Sequence, residues 1–206
     1  MNTDDAGTLD KGGMKVEGVW SKDDQTSGGE LLFGFSPIDM VELEVAASQA
    51  KDDSTSPAGK LAGTGFGAKW VPVRNETGWS FGGRFDFGHT RIQDRVANEK
   101  FTERAYALTG LASWRRQNGQ VLHVNLGAAQ VEAQGNRDTV GTWSIGYELP
   151  LAEMLQLTVE TFGEEHSRPD KAIGLRYEIL DGLKVSGAVG RGNDRDFGQV
   201  GAAWEF

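Results

Sequence analysis

The chain has no cysteine among its 206 residues, so neither a disulfide nor a thiolate metal site can form. It also lacks any run of about 18 apolar residues, the length that a membrane-spanning helix needs. The formal net charge is −9, which argues against nucleic acid as a partner, because nucleic-acid-binding surfaces are basic. These absences exclude disulfide scaffolds, helical membrane proteins and most nucleic-acid-binding proteins.

Helical periodicity is also scarce, whereas alternation of apolar and polar residues runs through the whole chain. The segment MVELEVAAS (40–48) places Leu43 and Val45 on one face of an extended chain and Glu42 and Glu44 on the other. Alternation with a period of two is typical of a β-strand with one apolar face. We count twelve segments of this kind, which predicts an all-β fold.

The connections between these segments alternate in character. Longer polar connections are expected at 22–29, 49–60, 89–100, 132–139, 163–171 and 191–196, and short ones at 36–39, 72–78, 116–120, 150–154 and 181–182. Asn118-Gly119 and Asp181-Gly182 are strong hairpin signals. Long loops at one end and tight turns at the other are typical of transmembrane β-barrels. We therefore predict an antiparallel up-and-down transmembrane β-barrel of twelve strands over residues 14–206, with both termini periplasmic and residues 1–13 forming a periplasmic or lumenal tail.

The chain ends on the alternating run FGQVGAAWEF. In a closed barrel the last strand pairs with the first, and its apolar face contacts lipid. Aromatic side chains gather where lipid-facing strands meet the headgroups. The predicted aromatic girdles contain Trp20, Trp70, Trp79, Phe87, Tyr106, Trp114, Tyr147, Trp204 and Phe206.

A soluble sandwich or lipocalin-like barrel would also show alternating strands, with the apolar face turned inward. The polar face favours the membrane barrel, because its charges alternate with small residues, as the confined space of a lumen requires. On this interpretation the pore lining contains Glu17, Glu42, Glu44, Lys69, Arg84, Asp86, Arg115, His123, Asn125, Glu148, Glu160, Arg176, Glu178, Lys184 and Glu205.

Three stretches carry a family resemblance. TDDAGTLDKGGMKVEGVW (3–20), LFGFSPIDMVELEV (32–45) and GTGFGAKW (63–70) resemble the first strands of bacterial outer-membrane channels labelled after the meta-cleavage pathway of phenol degradation. The resemblance implies a twelve-stranded barrel that passes small molecules, including small aromatic or hydrophobic compounds. This chain departs from the family by being compact, which leaves little room for an elaborate extracellular gate.

The sequence offers little catalytic chemistry. His166 and Ser167 are neighbours, so in an extended chain they point to opposite sides and form a poor base and nucleophile. His123 shares a face with Asn125, and no serine lies near it in sequence. His89 is expected at a loop boundary. We predict no enzyme activity, no catalytic residue, no cofactor and no metal site.

The sequence thus predicts a passive outer-membrane channel for small molecules with a narrow, charged lumen. A non-conducting structural or adhesion barrel, plugged by charged side chains or by the tail, is the alternative. Expected partners are outer-membrane lipid and lipopolysaccharide, the barrel assembly machinery and a small-molecule solute. The start of the chain has no signal-peptide pattern, and we expect that a signal peptide has been removed.

Overall fold

Twelve antiparallel strands form a closed barrel in the computed structural model, which describes residues 2–206. The strands are β1 (Met14–Asp23), β2 (Thr26–Ile38), β3 (Val41–Asp52), β4 (Gly59–Val73), β5 (Gly78–Asp94), β6 (Glu99–Arg115), β7 (Val121–Ala133), β8 (Asn136–Ala152), β9 (Leu155–Glu164), β10 (Asp170–Leu180), β11 (Leu183–Gly192) and β12 (Arg195–Glu205). Each strand pairs with its neighbours in sequence, and β1 pairs with β12. The predicted fold class is confirmed.

The seam between β1 and β12 closes the barrel. Lys15 pairs with Glu205 and Trp20 with Val200 in an antiparallel register. Beyond these pairs, Met14 and Phe206 exchange backbone hydrogen bonds of 2.8 and 2.9 Å. The last residue of the chain is therefore part of the closure, and no strand edge is left unpaired.

The connections differ from the predicted ones. At the end opposite the termini, called the distal end, the strands are joined by residues 24–25, 53–58, 95–98, 134–135, 165–169 and 193–194. These connections are as short as those at the end that holds Met14 and Glu205, called the terminal end. The predicted difference in loop length is wrong, because the polar stretches continue as paired strands. The predicted hairpins hold, and Gly119 and Gly182 occupy turn positions with φ of 81° and 75°.

The outer surface is apolar, whereas the interior is polar. Leu31, Leu108 and Leu126 are 66–67% exposed on the outside. A small apolar cluster is buried within the barrel, formed by Ala6, Val71 and Leu111. No helix in residues 2–206 is long and apolar enough to cross a membrane. The side-chain pattern thus follows from strand alternation, with apolar residues outside and charged residues inside.

Candidate functional site: the lumen of the barrel

Charged side chains crowd the half of the lumen near the terminal end. Glu42 and Glu44 on β3 are 2% and 4% exposed, and both pair with Lys15 of β1, at 2.7 and 2.5 Å. Arg84 of β5 reaches Glu44 at 2.5 Å and Asp86 at 2.8 Å. These ion pairs join three strands, β1, β3 and β5, across the inner wall. We call this part of the lumen, together with the chain segment inside it, the terminal half.

The N-terminal segment, residues 2–13, lies inside the terminal half. Its backbone N–H groups donate to side chains on strands far apart around the barrel. Leu9 donates to Glu42 on β3 at 2.9 Å, Ala6 to Ser113 on β6 at 2.7 Å, and Thr3 to Glu160 on β9 at 2.9 Å. The segment therefore crosses the lumen from the β3 side to the β9 side.

Two aspartates anchor this segment to the wall. Asp4 pairs with Lys69 at 2.7 Å and with Arg84 at 3.0 Å, while Asp5 pairs with Arg115 at 3.3 Å. Lys69 is only 4% exposed, so its ammonium group depends on these carboxylates for charge compensation. The segment and the wall therefore neutralise each other.

The pKa of Asp5 reflects the same charge compensation between the N-terminal segment and the wall. Enclosure by the barrel would raise the pKa of its carboxyl, but the nearby groups, led by the ammonium group of Lys69 and including the guanidinium group of Arg115, outweigh that effect. The net result is a pKa below the usual value for an aspartate. Asp5 is therefore negatively charged near neutral pH and contributes to holding the segment in place.

His123 lies between a serine and a glutamate. Its Nδ1 is 2.8 Å from Ser113 Oγ, and its Nε2 is 3.7 Å from Glu148 Oε1. Ser113 accepts the Ala6 N–H bond, which leaves its hydroxyl hydrogen available for Nδ1. Glu148 also pairs with Arg176 at 3.0 Å.

These residue types resemble a hydrolase triad, but their surroundings differ from those of a reactive site. Ser113 is fully buried, and its hydroxyl oxygen accepts the hydrogen bond from the Ala6 N–H. A nucleophile must be accessible to its substrate, and the buried Ser113 hydroxyl is not. The arrangement holds the N-terminal segment against β6 and β7.

On β3, β4, β6 and β7, small side chains line the distal half of the lumen. The inward positions that continue beyond the charged residues include Ala46 and Ser48 on β3, Gly63 and Gly65 on β4, Ala105 and Ala107 on β6, and Gly127 and Ala129 on β7. Small side chains leave the space along the barrel axis open. These four strands therefore contribute little side-chain volume to the lumen in the distal half.

A cavity of about 1070 Å³ runs through the lumen beside the N-terminal segment. Its lining includes Ser167, Asn193 and Arg195 at the distal end and Lys184 and Glu205 at the terminal end. Asp4 and Asp5 also border it. The segment thus narrows the lumen, and residues from all twelve strands border the space that remains.

Most of the predicted lining residues border this cavity: Glu17, Glu44, Lys69, Arg84, Asp86, Arg115, His123, Asn125, Glu148, Arg176, Lys184 and Glu205. The other three are Glu42, Glu160 and Glu178. Glu42 and Glu160 bind the N-terminal segment. Glu178 accepts a bond from the Gly182 N–H at 3.1 Å, at the turn between β10 and β11.

Sequence reasoning missed several residues of this site, including the partner of His123. Ser113 lies directly opposite His123 in the β6–β7 hairpin. Counting outward from the Asn118-Gly119 turn would have paired the two residues. Phe162 on β9 also lines the cavity, beside Phe197 at a ring distance of 6.0 Å. The register of the β6–β7 hairpin predicts the contact between Ser113 and His123, but it does not predict the contact between Phe162 and Phe197.

The aromatic residues assigned to the girdles lie on the outer face. Exposed fractions are 49% for Trp20, 60% for Trp70, 52% for Trp204 and 56% for Phe206. Trp204 and Phe206 contact each other with ring centroids 4.8 Å apart. The other members are Trp79, which contacts Trp114 at 6.4 Å, Phe87, which contacts Tyr106 at 5.2 Å, and Tyr147, which lines a groove on the outer surface.

No family model and no curated protein matches the sequence. Solved structures do resemble the fold. The COG4313 outer membrane channel from Pseudomonas putida F1 superposes with a TM-score of 0.70 at 8% identity, over 98% of this chain and 98% of that chain. The KdgM porin, solved in complex with disordered oligogalacturonate, has a TM-score of 0.68 at 14% identity, over 93% of this chain and 99% of that chain.

An enzyme is also among the similar structures. Outer membrane phospholipase A from Escherichia coli has a TM-score of 0.55 at 11% identity, over 92% of this chain and 89% of that chain. At such low identities the likeness concerns the fold, which is that of twelve-stranded outer-membrane barrels. Likeness of fold does not determine function, which depends on the side chains of this chain.

Proposed function

We propose that the protein is an outer-membrane channel through which small molecules diffuse. The observation that carries this proposal is the polar cavity of about 1070 Å³, whose lining reaches both ends of the barrel. Apolar residues cover the outside, so the barrel suits a lipid bilayer, and its interior suits water. Two porins or channels among the similar structures support the same role.

The lumen favours small solutes. The N-terminal segment occupies much of the terminal half, so large molecules cannot pass while it is in place. Inward-facing Phe162 gives the distal half an apolar contact beside the polar groups. Together with the resemblance of residues 3–20, 32–45 and 63–70 to the phenol meta-pathway channels, this contact supports small aromatic compounds as solutes. We infer that the chain belongs to that family and has no enzymatic role.

Conductance across a planar bilayer tests the proposal. The refolded full chain should give discrete openings of small amplitude, and a small aromatic solute should reduce the open current. A folded, heat-modifiable barrel that stays silent would contradict the channel proposal. Silence would instead favour a non-conducting structural barrel, the second candidate, which the N-terminal segment across the lumen supports.

A further inference from the structure

A groove of about 1260 Å³ lies on the outside of the barrel, away from the lumen. It extends over six adjacent strands, from β8 through β12 to β1. At about 4.8 Å between strands, this is a width of about 24 Å. Its apolar surface includes Ile145, Val159, Ile173, Val189 and Val200.

Small residues deepen the floor of the groove. Gly198 on β12 lies in it, and a Cβ added there would come no closer than 3.6 Å to another atom. The floor is therefore open because the side chain is missing, and not because the backbone requires glycine. A larger side chain at this position would fill the groove while leaving the strand intact.

Basic side chains lie at the distal rim of the groove. Lys171 on β10 and Arg191 on β11 are direct cross-strand partners, and Lys22 on β1 completes the group. Arg191 pairs with Asp196 at 2.9 Å. Within residues 2–206, Lys22 and Lys171 form no ion pair. Two positive charges therefore face outward above an apolar surface, and neither is held in an ion pair.

The acidic residues at this rim have other partners. Asp23 pairs with Arg195 at 3.1 Å, and Asp24 accepts the Asp196 N–H at 3.2 Å. A ligand that matches the basic rim and the apolar surface of the groove has an anionic headgroup at the distal rim and hydrocarbon chains below it. Lysine and arginine bind phosphate through charge-assisted hydrogen bonds.

We propose that this groove is a binding site for a phosphorylated glycolipid with several acyl chains, of the lipid A class. The breadth over six strands suits several chains side by side. Lys22 and Lys171, on two different strands and without an ion-pair partner, suit a headgroup with more than one phosphate. A phospholipid, with one phosphate and two chains, would leave part of the groove and one or more cations unmatched.

This inference rests on the outer-membrane location proposed above, but it does not require that the barrel conducts. The site lies on the lipid face, and binding can be measured in detergent without any current. A barrel that binds the lipid but remains silent would contradict only the channel proposal.

Native mass spectrometry of the folded full chain, titrated with bis-phosphorylated lipid A, tests the site. We expect the double variant Lys22→Ala/Lys171→Ala to bind at least tenfold more weakly, because juxtamembrane lysines add to the affinity for anionic lipids. Gly198→Leu should also weaken binding, without any change in charge. Gel mobility before and after heating verifies that each variant is folded.

Lys100→Ala/Arg104→Ala is the matched control, since both residues are exposed on β6, near the distal end and outside the groove. It removes the same charge and should leave binding unchanged. Equal weakening by the control would show diffuse attraction and overturn the proposal. Binding of phosphatidylglycerol as tightly as lipid A would overturn the choice of ligand, and unaltered binding by both groove variants would overturn the site.

Discussion

The terminal and distal halves of the lumen are formed by the same strands but contain different side chains. On β6, Leu111 and Ser113 near the terminal end are 3% and 0% exposed and pack against the N-terminal segment, whereas Ala107, further along the same face, is half-buried and has only a methyl side chain. The first half behaves like the interior of a small protein, with buried ion pairs and a small apolar cluster. The second half has small inward side chains on β3, β4, β6 and β7, and we expect it to be a water-filled vestibule. Permeation should therefore be limited in the terminal half.

The N-terminal segment accounts for most of that difference. Without it, Lys69, Arg84 and Arg115 would face an open lumen, as the small residues of the distal half do. Its contacts are hydrogen bonds and ion pairs, each contributing about 0.5–3 kcal/mol. Such bonds can be exchanged for bonds to water, so the segment is removable in principle without opening the barrel wall.

Deleting residues 2–9 should have the largest effect. We expect single-channel conductance to rise several-fold, because the lumen widens where it is narrowest. Planar-bilayer recordings measure the amplitude, and heat-modifiability on gels verifies that the barrel folds. An unchanged conductance in a folded variant would show that the terminal half does not limit permeation.

A pair of substitutions on one face of β6 compares the two halves directly. Leu111→Arg places a charge in the small apolar cluster with Ala6 and Val71, so it should lower the temperature at which the gel band shifts. Ala107→Arg places the same side chain in the vestibule, where water solvates it. It should fold normally and reduce conductance moderately. Equal thermal sensitivity of the two variants would remove the distinction between the halves.

Much of this architecture is predictable from sequence, since a period of two fixes which residues share a face. The assignment of Glu42, Glu44 and Asn125 to one face needed only that rule. Strand length was harder to predict. Near the distal end both faces of a strand are polar, so alternation disappears although backbone pairing continues, for example between Asp94 and Glu99.

The path of the N-terminal segment could not be predicted for another reason. Its contacts join residues far apart in the chain, such as Thr3 and Glu160, and it has no periodicity. The sequence shows that Asp4 and Asp5 are charged. Their partners become apparent only in the structure, where the barrel brings β4, β5 and β6 around them. Composition shows which charges exist, and topology determines which of them meet.

Replacing both anchoring aspartates should have a smaller effect than deletion. Asp4→Asn/Asp5→Asn removes four ion-pair contacts but keeps the backbone bonds of Thr3, Ala6 and Leu9. We expect the segment to leave the lumen part of the time, seen as added current steps between two levels. Recordings at low and high salt separate the causes, because salt weakens ion pairs. A steady current identical to that of the parent would show that the backbone bonds alone hold the segment.

We expect the smallest effect from a substitution at the seam between β1 and β12, within the terminal half of the lumen. Glu205 faces the lumen and pairs with Lys184 at 3.3 Å, and both residues line the cavity. Glu205→Gln removes one negative charge and leaves Lys184 uncompensated. The reversal potential in a salt gradient should therefore shift slightly toward anion selectivity, while folded yield stays the same.

Deletion of Phe206 is the matched control for this prediction, since it changes the same strand on the other side of the wall. Phe206 is 56% exposed outside, and its backbone closes the seam with Met14. Its loss should reduce the yield of inserted barrels but leave the reversal potential of those that insert unchanged. The reverse result, with altered selectivity after deletion of Phe206 and none after Glu205→Gln, would mean that permeating ions do not pass the seam at Glu205. The passage would then have to lie elsewhere in the terminal half, and only displacement of the N-terminal segment could open it.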